Sequence, residues 1–335
     1  MIYNIYSDTL DFIPNSSSYC FLDIETTGLS KLNDTIVCIG IAFPKEGSYH
    51  FSQWVIEKIE EESELIQTAL HQLISFEKVY TYGGKQFEWP FLLQKVKKYQ
   101  LNAESFTKFH LIDLKASKCT KNILEKELGF NRNFHTQGKK LAKLCQLTLS
   151  TPNSTYQSLI SEHNKEELIS LITFYHFYKF LNHLNQAILL EYHFKKNTLI
   201  FSLEPSRLYP YSFQYKQDYI HVFYDASINH LSISLEAVFL NLKAYLPHHD
   251  YYIVEGELMH KSLAKLLPAS MRTKATKSTC YLEQQTFYLP LKLAHQSLYW
   301  EDAKKQIYTP FNQEALLPYI NDILKLSIKK LIQKL

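Results

Sequence analysis

The sequence predicts an α/β fold, in which helices cover a mixed β-sheet, followed by a smaller α+β region. Three apolar segments rich in β-branched and aromatic residues come first, at residues 19–24, 35–43 and 49–55. Helical and strand-like patterns then alternate up to about residue 190, an order that is typical of a mixed sheet between helices. A chain of 335 residues is long enough for two domains, which we expect at residues 1–190 and 191–335.

Each element of the first domain is predicted from a local pattern. Residues 19–24 are apolar and lead into a Thr-Thr-Gly turn, as expected for a buried strand. Residues 63–76 place apolar side chains at helical spacing, with Ser63 as an N-terminal cap. The same patterns predict short strands at residues 78–82 and 109–114, and helices at residues 91–99 and 156–190.

The second half of the chain has a different sequence pattern. Short strand-like segments alternate there with two helix-like segments, at residues 236–246 and 259–267. Residues 316–335 form a Lys-rich amphipathic pattern that predicts a terminal helix. We therefore expect an α+β region, to which the sequence assigns no function of its own.

Composition excludes several classes of protein. With 46% hydrophobic and 21% charged residues, the chain is expected to be globular rather than disordered. Its five cysteines are scattered and form no CxxC pair, which argues against a disulfide framework or a zinc site and favours a cytoplasmic protein. We expect no membrane-spanning segment and no signal peptide, because no run of eighteen apolar residues occurs and the first residues lack a basic flank.

An acidic motif follows the first apolar segment. Residues 23–29 read DIETTGL, so that Asp23 and Glu25 lie two residues apart at the end of a strand and project from the same face. Hard oxygen ligands on one face suit Mg²⁺ or Mn²⁺. The alternative is a solvated strand end beside a turn.

Further acids occur at corresponding points later in the chain. Glu88 follows a Gly-Gly turn and a Phe, between a predicted strand and a helix. His163 and Glu167 are four residues apart and therefore share a helix face. Asp113 ends another predicted strand. Alternatively, Glu88 belongs to a turn that caps a helix, His163 and Glu167 form a surface pair, and Asp113 has a structural role.

Together these motifs resemble those of DEDD exonucleases, the DnaQ-like group of the ribonuclease H superfamily, and most closely the YprB-type ribonuclease H-like domain, over residues 18–182. The resemblance implies a ribonuclease H-like five-stranded sheet and 3′→5′ hydrolysis of single-stranded DNA or RNA with two divalent ions, Mg²⁺ or Mn²⁺. It implies Asp23, Glu25, Glu88 and Glu167 as metal ligands and His163 as general base. Asp113 would lie nearby, outside the metal ligands.

Two of the four acids depart from the family pattern. Glu88 and Glu167 stand where the family has Asp, and one extra methylene could loosen the spacing that two-ion catalysis requires. A catalytically inactive nucleic-acid-binding module is therefore the alternative function, and a protein-interaction scaffold is a third.

A basic segment in the second half is a candidate surface for nucleic acid. No acidic residue occurs between Glu257 and Glu283, and cationic side chains give sequence-independent affinity for phosphates. The alternative is a solvated surface, since the net charge of the whole chain is only +3. The candidate nucleic-acid contacts are Lys85, Lys261, Lys265, Arg272, Lys274 and Lys277.

Overall fold

The computed structural model of the protein contains two β-rich halves that share one long helix. It describes residues 2–8, 18–102, 108–115, 121, 125, 128, 130, 132, 138–217, 219–290 and 298–311. The terminal helix that the sequence predicts at residues 316–335 lies outside these ranges.

A six-stranded mixed sheet forms the centre of the first half, in the order β1-β4-β3-β2-β5-β6. Strand β2 is antiparallel to β3 and parallel to β5, and β5 is parallel to β6. The five expected strands are confirmed as β2 to β6. Strand β1 was not expected, because its residues show no regular alternation, and it extends the sheet by pairing antiparallel with β4. The bounds are β1 Ile2–Asp8, β2 Tyr19–Thr26, β3 Ile36–Lys45, β4 Ser48–Val55, β5 Lys78–Thr81 and β6 His110–Asp113.

Within the described ranges, four helices pack around this sheet. They are α1 Glu62–Leu73, α2 Glu88–Lys98, α3 Gly138–Ser150 and α4 Ser154–His183. Helix α4 has 30 residues and is therefore about 45 Å long. It ends earlier than the predicted residue 190, because the following residues form a strand of the second half.

The two faces of β2 pack against different helices. Cys20 and Leu22 belong to the apolar cluster that contains α1 and α2. Tyr19 and Phe21 point the other way and belong to the cluster that contains the middle of α4. Because side chains alternate along a strand, the next residues on the α4 face are Asp23 and Glu25. The alternation thus places the acidic motif opposite α4.

The second half is mostly β-structure. A five-stranded antiparallel sheet has the order β7-β8-β11-β10-β9, a small closed barrel consists of β12, β16, β18 and β17, and a three-stranded sheet has the order β14-β13-β15. The bounds are β7 Ile188–Lys195, β8 Thr198–Glu204, β9 Phe213–Gln217, β10 Ile220–Asp225, β11 His230–Glu236, β12 Val238–Tyr245, β13 Tyr251–Val254, β14 Glu257–His260, β15 Thr273–Lys274, β16 Tyr281–Leu289, β17 Trp300–Glu301 and β18 Ile307–Pro310.

The two helices predicted inside the second half are largely wrong. Residues 238–245 form strand β12, which pairs with β16 over eight residues and buries Leu242 and Ala244 against Trp300 in the barrel. Only one helical turn, α5 Lys261–Ala264, lies in the second predicted helix. Among the described helices, none is long and apolar enough to cross a membrane.

The two halves are joined by a continuous core. Phe174, Phe177 and Phe180, in the second half of α4, belong to the same apolar cluster as residues of β8, β10 and β11. Phe180 is fully buried there, and its ring centroid lies 4.9 Å from that of Tyr224. Helix α4 therefore belongs to both cores, and the boundary that the sequence suggests at residue 190 does not coincide with a gap in packing.

Candidate active site

A cavity of about 720 Å³ lies at the end of β2, between α2, α3 and α4. Its lining includes all five residues predicted to act in catalysis: Asp23, Glu25, Glu88, His163 and Glu167. Two of them come from β2, one is the first residue of α2, and two lie on α4. The fold thus brings together side chains that are up to 144 residues apart in the sequence, from position 23 to position 167.

The Thr-Thr-Gly turn after β2 is fixed by its own side chains. Thr26 Oγ1 donates to the Gly28 carbonyl oxygen at 2.7 Å. Thr27 Oγ1 donates to Asp34 Oδ1 at 3.1 Å and accepts from the Thr35 amide at 2.9 Å. A Cβ on Gly28 would lie 2.5 Å from Asp34 Oδ2, so a larger residue would collide with this turn. The turn therefore holds the end of β2, and with it the acidic motif, in place.

Asp23 is oriented by an amide that the sequence analysis did not single out. Asn164 is fully buried on α4, and its Nδ2 donates to Asp23 Oδ2 at 2.8 Å. Gln53 Nε2 in turn donates to Asn164 Oδ1 at 2.6 Å. Gly40, opposite Asp23 in the sheet, leaves room for this amide, because a Cβ there would lie 1.9 Å from Asn164 Oδ1. The position of Asn164 directly after His163 is the only sequence signal for this role.

Two carboxyl groups of the cavity, those of Glu25 and Glu88, are buried, and that of Asp23 is partly buried; none of the three forms a salt bridge with a lysine or arginine among the described residues. Burial, and then the charge of Glu167, raises the pKa of Asp23 to about 7. Burial, and then the charge of Asp23, raises the pKa of Glu88 to about 8 and that of Glu25 well above its ordinary value. Within the described part of the chain, Glu25 Oε1 and Glu88 Oε2 have no hydrogen-bond partner. Such a cluster holds protons unless a cation binds to it.

Glu167 has the opposite environment. Its Oε2 pairs with the ammonium of Lys121, and its Oε1 lies 2.5 Å from Arg132 Nη1. Burial alone would raise the pKa of Glu167, but Lys121 and Arg132 outweigh it and hold the pKa well below the ordinary range. Arg132 also pairs with the buried Glu125, which accepts a hydrogen bond from Ser170 Oγ. Glu167 therefore remains ionised and is neutralised by two protein cations.

His163 lies between the carboxylates of Glu25 and Glu167. Its Nε2 is 3.4 Å from Glu167 Oε1 and 3.8 Å from Glu25 Oε1. Burial lowers the pKa of His163, and the charges of Arg132 and Lys121 lower it further, although Glu167 opposes them. The imidazole is therefore neutral near pH 7 and able to accept a proton.

Asp113 supports the site from outside the cavity lining. Its Oδ1 accepts hydrogen bonds from the amides of Gly83 at 2.7 Å and Lys115 at 3.0 Å, and its Oδ2 accepts one from the Lys85 amide at 3.3 Å. Asp113 thus fastens the glycine turn that leads from β5 to Glu88. The Lys85 side chain is exposed and does not line the cavity.

The basic residues predicted in the second half lie on the small sheet unit formed by β13 to β15 and α5, not in the cavity. Two of them have structural partners: Lys261 forms a salt bridge with Asp250, and Arg272 Nη1 donates to the Ala264 carbonyl oxygen at 2.9 Å. Lys265, Lys274 and Lys277 are exposed.

The lysines that do line the cavity are Lys121, Lys139 and Lys143. They were not among the residues predicted from the sequence. For the last two, the cluster GKKLAK at residues 138–143 is the signal that could have been used.

The carboxylates differ in their suitability for a metal ion. In the part of the chain that the structure describes, no three acidic, histidine or cysteine side chains are arranged so that they could hold a metal ion. Asp23, Glu25 and Glu88 nevertheless offer hard oxygen donors, two of them with unsatisfied buried oxygens, which fits a divalent ion. Glu167 does not fit, because cationic side chains already occupy both of its oxygens.

Residues 20–178 match the family model of the ribonuclease H superfamily. A search of the curated proteins finds no match. Similar solved structures include the family B DNA polymerase of the hyperthermophilic archaeon Pyrobaculum calidifontis, with 12% identity and a TM-score of 0.42 over 52% of this chain and 26% of the polymerase. Exonuclease I of E. coli in complex with a dA16 oligonucleotide has 12% identity and a TM-score of 0.30 over 58% of this chain and 56% of the exonuclease.

The chain thus spans about a quarter of the polymerase and just over half of exonuclease I. The segment that matches the family model contains β3 to β6, all but the first residue of β2, helices α1 to α3, most of α4 and every acidic residue of the cavity. The first half of the protein therefore has the ribonuclease H-like fold.

Proposed function

We propose that the first half of the protein is a metal-dependent nuclease that removes nucleotides from the 3′ end of single-stranded DNA or RNA. The observation that carries the proposal is the convergence of Asp23, Glu25, Glu88, His163 and Glu167 on one cavity of a ribonuclease H-like domain. The 3′→5′ direction rests on the resemblance of these motifs to YprB-type DEDD exonucleases.

The cavity residues have complementary tasks in this reaction. A bound divalent ion would supply positive charge for activating the attacking water and for stabilising the leaving oxygen. Asp23, Glu25 and Glu88 would hold it, with Asp23 oriented by Asn164. Neutral His163 would accept the proton of the attacking water.

The lining of the cavity also suits a nucleic-acid strand. Lys139 and Lys143, near the start of α3, add cationic groups that would attract the phosphates of the substrate. The cavity volume of about 720 Å³ lies within the range typical of sites that enclose a small ligand. One terminal nucleotide is therefore a suitable occupant.

The direct test is the degradation of end-labelled oligonucleotides with Mg²⁺ or Mn²⁺. We expect the full chain to shorten single-stranded DNA or RNA stepwise from the 3′ end, and Asp23→Asn to abolish this. Glu64→Gln, at an exposed position on α1, is the matched control and should behave like the wild type. A wild-type protein that leaves all substrates intact in both metals would contradict the proposal.

One observation favours a second function, that of a nucleic-acid-binding module without catalysis. Lys121 and Arg132 neutralise Glu167, one of the four acids that the family uses to hold metal. In that case oligonucleotides would bind in a salt-dependent manner and stay intact, and Asp23→Asn would not change their affinity.

A further inference from the structure

The acids of the cavity form two groups that differ in their counter-charges. Glu167 is neutralised by Lys121 and Arg132. Among the described residues, no lysine or arginine forms a salt bridge with Asp23, Glu25 or Glu88. Glu167 therefore forms direct ion pairs with protein cations, whereas the other three acids form none, and the charge of Lys121 lowers their pKa only in part.

We propose, on the basis of the function proposed above, that the site binds one divalent ion and that the ammonium of Lys121 provides the second positive charge. The ion would be held by Asp23, Glu25 and Glu88. Lys121, held by Glu167, would take over the charge compensation that a second ion would otherwise supply.

Lys121 is positioned for this task from three sides. Its ammonium pairs with Glu167 and lies 5.3 Å from the ring centroid of Tyr82 and 6.0 Å from that of Phe174. Aromatic faces attract an ammonium group at such distances. The side chain is only 17% exposed, yet it lines the cavity. An ammonium has three donors, so that pairing with one carboxylate leaves others for a phosphate oxygen.

Arg132 makes it difficult for a second ion to bind at Glu167. Its side chain is 6% exposed and pairs with Glu167 on one side and with Glu125 on the other. Glu125 is itself buried and bonded to Ser170. Glu125 therefore fixes Arg132 on Oε1 of Glu167, so that a divalent ion could reach only Oε2, and only by displacing Lys121 and leaving its largely buried charge unpaired.

The hydrolysis balances with these groups. The water oxygen forms a bond to phosphorus, and the bond between phosphorus and the 3′ oxygen breaks. His163 takes the proton of the water, and the leaving oxygen takes a proton from the solvent. Lys121 transfers no proton; it stabilises negative charge on the phosphate and the leaving oxygen through its own charge.

The experiment is a count of bound Mn²⁺ by electron paramagnetic resonance on the full chain, without substrate. We expect one Mn²⁺ per wild-type chain and two per Lys121→Met chain, because the oxygen of Glu167 that Lys121 occupied becomes available. Lys121→Arg should restore the count of one. Lys143→Met removes a lysine from the same cavity that forms no salt bridge among the described residues, and it should leave the count at one.

Two Mn²⁺ per wild-type chain would overturn the inference, even if Lys121→Met failed to fold. An unchanged count in a folded Lys121→Met protein would also overturn it. The nuclease function is judged separately, by the shortening of oligonucleotides. Cleavage together with two ions contradicts only the role of Lys121, whereas one bound ion without cleavage contradicts the proposed function itself.

Discussion

Gly40 shows how a residue without a side chain controls the position of the Asp23 carboxylate. A Cβ at this position would lie 1.9 Å from Asn164 Oδ1 and 2.8 Å from Leu168 Cδ1. The close approach of α4 to β3, and hence the hydrogen bond from Asn164 to Asp23, requires the glycine.

We therefore expect Gly40→Ala to destabilise the protein by about 1–3 kcal/mol, the usual cost of overpacking a core. Urea unfolding measures this change. Gly138→Ala is the matched control, because nothing lies within 4 Å of a Cβ there, and its unfolding should change little. Equal midpoints for the two variants would show that α4 can move away from the sheet at no cost.

His163 is the second residue with a separable role. His163→Asn should lower the cleavage rate by roughly 10²–10⁴-fold, the usual contribution of a general base, and leave Mn²⁺ binding intact. The exposed His71 on α1 provides the control, His71→Asn, which should cleave at the wild-type rate. Loss of Mn²⁺ binding in His163→Asn would instead make the imidazole a metal ligand.

Some residues of the site could be predicted from the sequence, and others could not. Asp23 and Glu25 follow from alternation at a strand end, and His163 and Glu167 from helical spacing. Lys121 and Arg132 belong to no regular local pattern, and only the folded chain brings them to Glu167. Counter-charges of this kind depend on tertiary contacts, which a single sequence does not reveal.

At the scale of elements, a buried ion pair joins α1, α2 and the start of β3. Glu62 on α1 accepts a hydrogen bond from the Ile36 amide at 2.7 Å and lies 3.1 Å from Lys95 Nζ on α2. Both side chains are almost completely buried, and Lys95 also donates to the Asp34 carbonyl oxygen. The pair therefore ties Asp34 and Ile36, which follow the Thr-Thr-Gly turn, to α1 and to α2, the helix that begins at Glu88.

Lys95→Met should destabilise the protein by about 3–5 kcal/mol, because it leaves Glu62 as a buried charge without this partner. Lys97→Met, two residues further at an exposed position, should change stability by no more than about 0.5 kcal/mol. Chemical unfolding of both variants provides the comparison. A small effect of Lys95→Met would mean that Lys98 and Tyr99 compensate fully for the loss.

Helices and strands whose apolar residues have a clear spacing were predicted well. Segments whose spacing fits both a helix and a strand were not. Strands β2 to β6 and helix α1 follow from apolar runs and helical spacing. The segment at residues 238–245 contains apolar residues that satisfy both alternation and helical spacing. Pairing with β16 over eight residues decides in favour of the strand. The barrel is closed by long-range contacts, so the local sequence pattern could not predict whether this segment is a strand or a helix.

At the scale of the whole molecule, the carboxyl cluster makes stability depend on pH and on cations. Asp23, Glu25 and Glu88 have a raised pKa in the folded protein, so folding favours their protonated forms. That stability is fully present below the ordinary pKa of about 4 and is lost as the pH rises through about 7 to 8. Glu167, with a lowered pKa, opposes this trend only at acidic pH.

We therefore expect the melting temperature in EDTA to be lower at about pH 8.5 than at about pH 6, by a few degrees or more. Mn²⁺ should reverse the loss at the higher pH, because the ion replaces the protons. Asp23→Asn should flatten the dependence on pH. A melting temperature that rises between these two pH values in EDTA would contradict the assignment of the raised pKa values.

The long helix α4 has a consequence for folding during synthesis on the ribosome. The ring neighbours of its Phe177 and Phe180 include Tyr209, Phe213 and Tyr224, which are synthesised after the helix. A nascent chain that has just completed the helix exposes an apolar surface of the kind that aggregates or recruits chaperones. A chain truncated after this helix would keep that apolar surface exposed, so we expect it to aggregate or to be degraded rather than to fold as a smaller domain.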